Sequence, residues 1–85
     1  MTDSTNSVHL LYDLEKGQTA TVLNVSKEDE DARCRLLTLG IYPGVEVKFL
    51  RTAPLGDPMQ IRCGSTLISI RRQDASLIEV DLCQN

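Results

Sequence analysis

The sequence has few of the residues that catalysis, cofactor binding or base stacking requires. It contains no tryptophan, and its three aromatic residues are Tyr12, Tyr42 and Phe49. His9 is the single histidine, so neither a Ser–His–Asp nor a Cys–His constellation is indicated. No glycine-rich phosphate-binding loop is present, because no glycine precedes a Lys-Ser or Lys-Thr pair. We therefore expect a protein that is not an enzyme, has no catalytic residues and binds no cofactor.

The sequence also lacks a long apolar run and an excess of basic residues. No stretch approaches the ~20 apolar residues of a membrane-spanning helix, and residues 1–7 have neither the basic nor the apolar region of a signal peptide. The net charge is −3, whereas nucleic-acid-binding proteins usually have a basic surface. We expect a cytoplasmic protein that does not insert into the membrane. A nucleic-acid-associated adaptor is an alternative, because the basic pair Arg71–Arg72 near Arg62 could contact phosphates.

No recognisable metal motif is present. Cys34, Cys63 and Cys83 are widely spaced and form no C-x-x-C pair, so we expect free thiols. The acidic residues at 28–31 favour a solvated helix start, where they complement the helix dipole. A divalent-cation site is the alternative reading of that run, because hard cations bind carboxylates. The sequence does not indicate which residues would form a transition-metal site.

The chain is organised around residues 35–47, which predict a helix, a stop, a turn and a strand. We expect the helix to run from about Glu30 to Leu39, with Ala32, Leu36 and Leu39 facing the sheet. Gly40 ends it, because glycine enters the left-handed conformation without a Cβ penalty. Pro43 and Gly44 turn the chain. The alternation from Val45 onward then predicts a strand with one buried face.

The rest of the chain predicts a mainly β fold. About five short strands joined by tight turns, with the helix between the first two long strands, favour a small closed or half-closed barrel. The first strand has imperfect alternation, which a bulge near Leu23–Asn24 would correct. We predict one domain over residues 10–82, a flexible N-terminal tail at 1–9 and a C-terminal tail at 83–85. The predicted strands cover about 19–25, 45–51, 59–63, 66–71 and 77–82.

Several motifs in this order resemble the FeoA family over roughly residues 10–82. They are Arg35-Leu36-Leu37-x-Leu39-Gly40-Ile41-x-Pro43-Gly44-x-Glu46-Val47, then Ala53-Pro54-Leu55-Gly56-Asp57-Pro58, then Leu67-x-x-x-Arg71 and Ala75-x-x-Ile78-x-Val80. The resemblance implies an SH3-like barrel. It also implies a small cytosolic protein of bacterial ferrous iron uptake, which acts beside FeoB, a membrane transporter with a cytosolic G-protein domain.

Under that resemblance we expect a non-enzymatic accessory protein that binds the cytosolic G-protein region of the transporter. A transition-metal-binding sensor or carrier of the same fold is the alternative, and self-association stays open. We predict partner contacts at Leu37, Tyr42, Leu55 and Asp57. Exposed apolar residues on loops held by a rigid barrel are suitable contact points. Alternatively, Tyr42 and Leu55 fold back over the ends of the barrel.

Overall fold

The computed structural model describes residues 8–82, so residues 1–7 of the predicted N-terminal tail and the predicted C-terminal tail at 83–85, which includes Cys83, lie outside the described residues. Six strands and two helices form this part of the chain. A single 3₁₀ turn, Leu11–Asp13, follows the first strand. In chain order the elements are β1 (Val8–Leu10), β2 (Thr19–Val25), α1 (Glu30–Leu39), β3 (Glu46–Thr52), β4 (Met59–Cys63), β5 (Thr66–Ile70), α2 (Arg72–Ala75) and β6 (Ile78–Leu82).

The strands form one antiparallel sheet in the order β1-β6-β2-β3-β4-β5. The predicted mainly β fold, with a short helix between the first two long strands, is therefore confirmed. Six strands are present where about five were expected. The additional strand is β1, in which Val8 pairs with Asp81 and His9 with Val80. The predicted tail boundary at residue 9 is wrong for these two residues, because three residues are too few to show an alternating pattern.

The bulge predicted in the first strand is confirmed. The register of β2 against β6 shifts between Val22 and Asn24. Since side chains alternate with a period of two, Val22 and Val25 would otherwise point to opposite faces. The extra residue places both of them in the core, where 1% and 4% of their surfaces remain exposed.

Helix α1 begins and ends where the sequence predicts. The Asp29 side chain accepts a hydrogen bond from the amide of Ala32 at 3.0 Å and so caps the first turn. Ala32 and Leu36 are buried as expected, but Leu39 is 46% exposed, so the predicted apolar stripe is wrong at its last position. The chain turns at Gly40 and places Ile41 in the core instead, with 1% of its surface exposed.

The core is aliphatic, as the composition predicts. Within the described part of the chain Phe49 is the single aromatic residue in it. Side chains from the sheet, from α1 and from the turns on either side meet in one cluster. Its fully buried larger members are Leu11, Val22, Leu36, Ile41, Val47, Met59, Ile61, Ile70, Ile78 and Val80.

Candidate protein interaction site

The end of α1 is fixed by its own backbone hydrogen bonds. The Gly40 amide donates to the carbonyl of Leu37 at 3.0 Å, and the Ile41 amide donates to that of Leu36 at 2.9 Å. This pair of bonds is the Schellman motif, and Gly40 has the left-handed φ of 99° that the motif needs. Leu36 and Ile41 both belong to the core cluster, as the accompanying apolar contact of that motif requires.

The turn after α1 is held against β2. The Gly44 amide donates to the carbonyl of Val22 at 2.8 Å, and the Val22 amide donates to the carbonyl of Val45 at 2.8 Å. The Val45 amide also donates back to the carbonyl of Tyr42. The backbone of the turn that contains Tyr42 is therefore held by hydrogen bonds to β2 and within the turn itself. The Tyr42 side chain is nevertheless about half exposed.

These contacts bring two of the predicted partner residues together. Leu37 and Tyr42 both line a cleft of about 60 Å³, with Arg33 and Pro43 beside them. We call these four residues the helix-end patch. Leu37 is 59% exposed and Tyr42 47% exposed. The cleft is far below the roughly 300 Å³ of a typical small-molecule pocket, and its volume is close to that of one side chain.

The other two predicted residues lie on the loop between β3 and β4, residues 53–58, which we call the Leu55 loop. Leu55 is 96% exposed at its tip. The loop is closed by hydrogen bonds from the Ala53 amide to Pro58 and from the Gly56 amide to Ala53. Asp57 has a structural role, because its carboxylate accepts a hydrogen bond from the Arg72 amide at 2.9 Å. Its predicted partner contact stays a prediction.

The structure separates the two predicted pairs. The helix-end patch precedes β3 and the Leu55 loop follows it. Strand β3 extends over Glu46–Thr52, and its six steps of about 3.3 Å each give the strand between the two regions a length of up to about 20 Å. One small partner side chain cannot contact both, so a single interface that includes both regions must cover a large part of this domain.

Arg72 connects the Leu55 loop to the rest of the domain, whereas the sequence indicated it only as part of a basic pair. Its guanidinium lies 4.4 Å from the centre of the Tyr12 ring and donates a hydrogen bond to the Tyr12 hydroxyl. A Cβ atom on Gly56 would lie 3.4 Å from the same guanidinium. Tyr12 and Arg72 are distant in sequence and show no periodic pattern that links them, so only the fold reveals the contact.

A second long-range contact joins the two helices. Arg35 on α1 lies 3.3 Å from the carboxylate of Asp74 on α2, and Asp74 is buried. Arg35 itself is half exposed, so solvent weakens the pair. Its main effect is to give the buried Asp74 a charged partner that the sequence did not reveal.

Residues 8–82 contain no group of three or more His, Cys, Asp or Glu side chains placed to hold a metal ion. Cys34 is exposed, and the partly buried Cys63 has its sulfur 3.8 Å from the Gly40 carbonyl oxygen. In the same part of the chain, no helix is long and apolar enough to span a membrane.

The family model for the FeoA domain matches residues 9–82. The chain belongs to the FeoA family. A relative from Porphyromonas gingivalis, the Fe(2+) transport protein A/Fe(2+) transporter FeoB fusion protein, is 35% identical over 72 residues. The match covers 85% of this chain but only 8% of the relative.

Solved FeoA structures share the fold. The FeoA protein from Chlorobium tepidum is 38% identical, with a TM-score of 0.79 over 89% of this chain and 71% of that one. The zinc complex of Stenotrophomonas maltophilia FeoA, described as an SH3 domain protein, is 28% identical, with a TM-score of 0.74 over 86% of this chain and 89% of that one. The predicted SH3-like fold is therefore confirmed.

Proposed function

We propose that this FeoA-family protein is a non-catalytic, cytoplasmic accessory protein of ferrous iron transport. In this proposal it binds the cytosolic G-protein region of a FeoB-type transporter and supports or regulates it. The described residues offer two exposed apolar contact regions on a small rigid domain, which is what an accessory protein needs.

The observation that carries the proposal is the Porphyromonas gingivalis relative. In that protein an Fe(2+) transport protein A segment and an Fe(2+) transporter FeoB segment are one polypeptide. Covalent linkage raises the effective concentration of two binding modules to about the millimolar range. A linkage of this kind favours two segments that act on each other.

The helix-end patch is the better supported contact region. Binding energy at protein interfaces concentrates in a few residues in well-packed positions, most often tryptophan, tyrosine and arginine. Tyr42 and Arg33 provide two of these residue types around one cleft, beside the exposed Leu37, and the Schellman motif and the turn beneath them are held by backbone hydrogen bonds. Little backbone conformational entropy would therefore be lost when a partner binds.

A pull-down from detergent-solubilised membranes of the source organism, with and without guanine nucleotide, tests the proposal. The tagged wild-type protein should recover the FeoB-type transporter, and Leu37→Lys should recover at least about tenfold less. Val8→Lys is the matched control, because Val8 is exposed to a similar extent (52%) and lies away from the cleft. Failure of the folded wild-type protein to recover the transporter under either condition would refute the proposal.

A metal sensor or carrier is the second candidate, because the Stenotrophomonas maltophilia relative is complexed with zinc. In this chain the exposed Cys34 is the most accessible thiol of the described residues. Metal analysis of protein purified without added metal tests this candidate. Stoichiometric zinc or iron that is lost in Cys34→Ser would support it, and metal-free protein that still recovers the transporter would exclude it.

A further inference from the structure

Strand β5 is an edge of the sheet that lacks the usual protection. Natural edge strands are protected by charged residues, proline or bulges, because their free backbone groups can pair with another chain. The β5 sequence, Thr-Leu-Ile-Ser-Ile, has no charged residue and no proline, and its pairing with β4 has no bulge. Within residues 8–82 β4 is its only strand neighbour.

The hairpin geometry determines which backbone groups point away from the sheet. Cys63 and Thr66 flank the two-residue turn, and Gly64 at its first position has a φ of 64°. Such a turn is closed by a hydrogen-bonded pair, and hydrogen-bonded and non-hydrogen-bonded pairs alternate beyond it. Leu67 and Ser69 belong to non-hydrogen-bonded pairs. Their amides and carbonyls therefore point outward, and we call these four groups the β5 edge.

The outer face of the neighbouring strands carries more cations than carboxylates, although the whole chain is acidic. Lys48 on β3 lies directly opposite Arg62 on β4, and Leu67 on β5 lies opposite Arg62 on its other side. Like charges in directly opposed positions destabilise a sheet, and Glu46, which lines the same hollow as Lys48 and Arg62, offsets part of that repulsion. We call Lys48, Arg51, Arg62 and Arg71 the basic sheet face.

Arg71 extends this face to the end of β5. It is exposed, and its backbone is still extended, with φ −64° and ψ 145°. Successive side chains of an extended strand alternate between faces, so Leu67, Ser69 and Arg71 share the outer one. Leu67 is 69% exposed there. The β5 edge therefore borders an exposed leucine and several cations.

We propose that the β5 edge binds an extended segment of a partner protein in which acidic and apolar residues alternate. An added strand would lie about 4.8 Å from β5 and about 10 Å from β4. Its carboxylates would then lie beside Arg71 and within about one Debye length of Arg62. Its alternate apolar residues would continue the face that Ile68 and Ile70 occupy.

Two other occupants fit the observations less well. A second copy paired through the same edge would extend one basic face directly into another, which is electrostatically unfavourable. Single-stranded nucleic acid binds through aromatic side chains as well as cations. The aromatic residues of the described chain, Tyr12, Tyr42 and Phe49, lie on other elements or in the core.

The test is an NMR titration of the isotope-labelled protein with an acetylated eight-residue peptide that alternates glutamate and valine. Binding should shift the amide signals of Leu67 and Ser69 and slow their hydrogen exchange. The same peptide with lysine in place of glutamate should bind at least about tenfold more weakly. A peptide that is N-methylated at the amides that pair with β5 should not bind, because those amides can no longer donate hydrogen bonds. This result does not depend on whether the protein variants fold.

Two protein variants separate backbone pairing from charge. Leu67→Pro removes an outward amide without removing a bond to β4, and should abolish the shifts, whereas Leu67→Thr should retain them. Arg62→Glu should weaken binding about tenfold. Lys27→Glu makes the same charge change at an exposed position before α1 and should bind like the wild type.

Several results would overturn the inference. They are equal binding of the acidic and lysine peptides, unchanged binding of the N-methylated peptide, and shifts confined to residues outside β5. Concentration-dependent broadening at Leu67 and Ser69 without peptide would identify a second copy as the occupant. Binding of an RNA oligonucleotide to the same face, lost on raising the salt concentration, would identify a nucleic acid. The experiment needs no transporter, so its failure leaves the proposed function untouched.

Discussion

The helix-end patch and the Leu55 loop both expose apolar side chains, but they are held in place by different means. The first rests on a helix stop, two backbone hydrogen bonds and the buried pair Leu36 and Ile41. The second also has two backbone hydrogen bonds, but they lie within the loop, and Arg72 connects it to the rest of the domain through its amide to Asp57 and its guanidinium to Tyr12. We infer that the helix-end patch is as stable as the core, whereas the Leu55 loop can loosen while the core stays folded.

The largest expected effect comes from removing the core beneath the helix-end patch. Leu36→Ala should lower the free energy of unfolding by about 2–5 kcal/mol, because it leaves a cavity at a position with 1% exposure. Urea denaturation measures the change. Leu37→Ala, one residue further on and 59% exposed, is the control and should change stability by less than about 0.5 kcal/mol. Equal effects would contradict the assignment of Leu36 to the core and of Leu37 to the exposed surface.

Gly40→Ala should have the next largest effect. Nothing lies within 4 Å of a Cβ atom at this position, so the cost comes from the left-handed φ of 99°. We expect a loss of about 1–2 kcal/mol in the free energy of unfolding. Gly40→Asn should lose less, because asparagine tolerates this conformation better than alanine. An alanine variant as stable as the wild type would contradict the role assigned to the helix stop.

Asp57→Ala should affect the Leu55 loop selectively. It removes the acceptor of the hydrogen bond from the Arg72 amide, which we expect to cost about 0.5–1.5 kcal/mol. The contact between Arg72 and the Tyr12 ring remains. Amide exchange of Ala53 and Gly56 should become faster, while exchange of Gly40 and Ile41 should not change. Equal acceleration at all four amides would show that the two regions loosen together.

The smallest effects on stability are expected at the exposed contact residues, where binding is the informative measurement. Leu37→Lys and Leu55→Asp should each change the free energy of unfolding by less than about 0.5 kcal/mol. In the pull-down, Leu37→Lys should strongly reduce recovery of the transporter. If only Leu55→Asp does so, the Leu55 loop is the main contact region. If neither does, both regions lie outside the interface.

The sequence predicted the elements whose conformation is decided by neighbouring residues. The helix runs over Glu30–Leu39 as expected, Asp29 caps it and Gly40 ends it. The bulge near Leu23–Asn24 was visible because it interrupts a period of two. Leu37 and Tyr42 were predicted as partner contacts, and the sequence left open whether Tyr42 folds back over the barrel. The structure leaves both side chains about half exposed.

Features that depend on residues far apart in sequence could not be predicted in this way. Strand β1 exists because β6 offers it an edge, and its three residues carry no pattern of their own. Leu39 was expected in the core, but Ile41 occupies the space after the chain turns.

What the sequence by itself determined is local: the helix and its stop, the bulge, the turns, the aliphatic core and the family motifs. Each depends on backbone preferences or periodicity within a few residues. Only the tertiary structure decided that Arg72 holds the Leu55 loop, that Asp74 is buried against Arg35, and that Lys48 and Arg62 lie side by side next to a free edge. These contacts depend on strand register and on loop closure, which bring together residues that are distant in the chain.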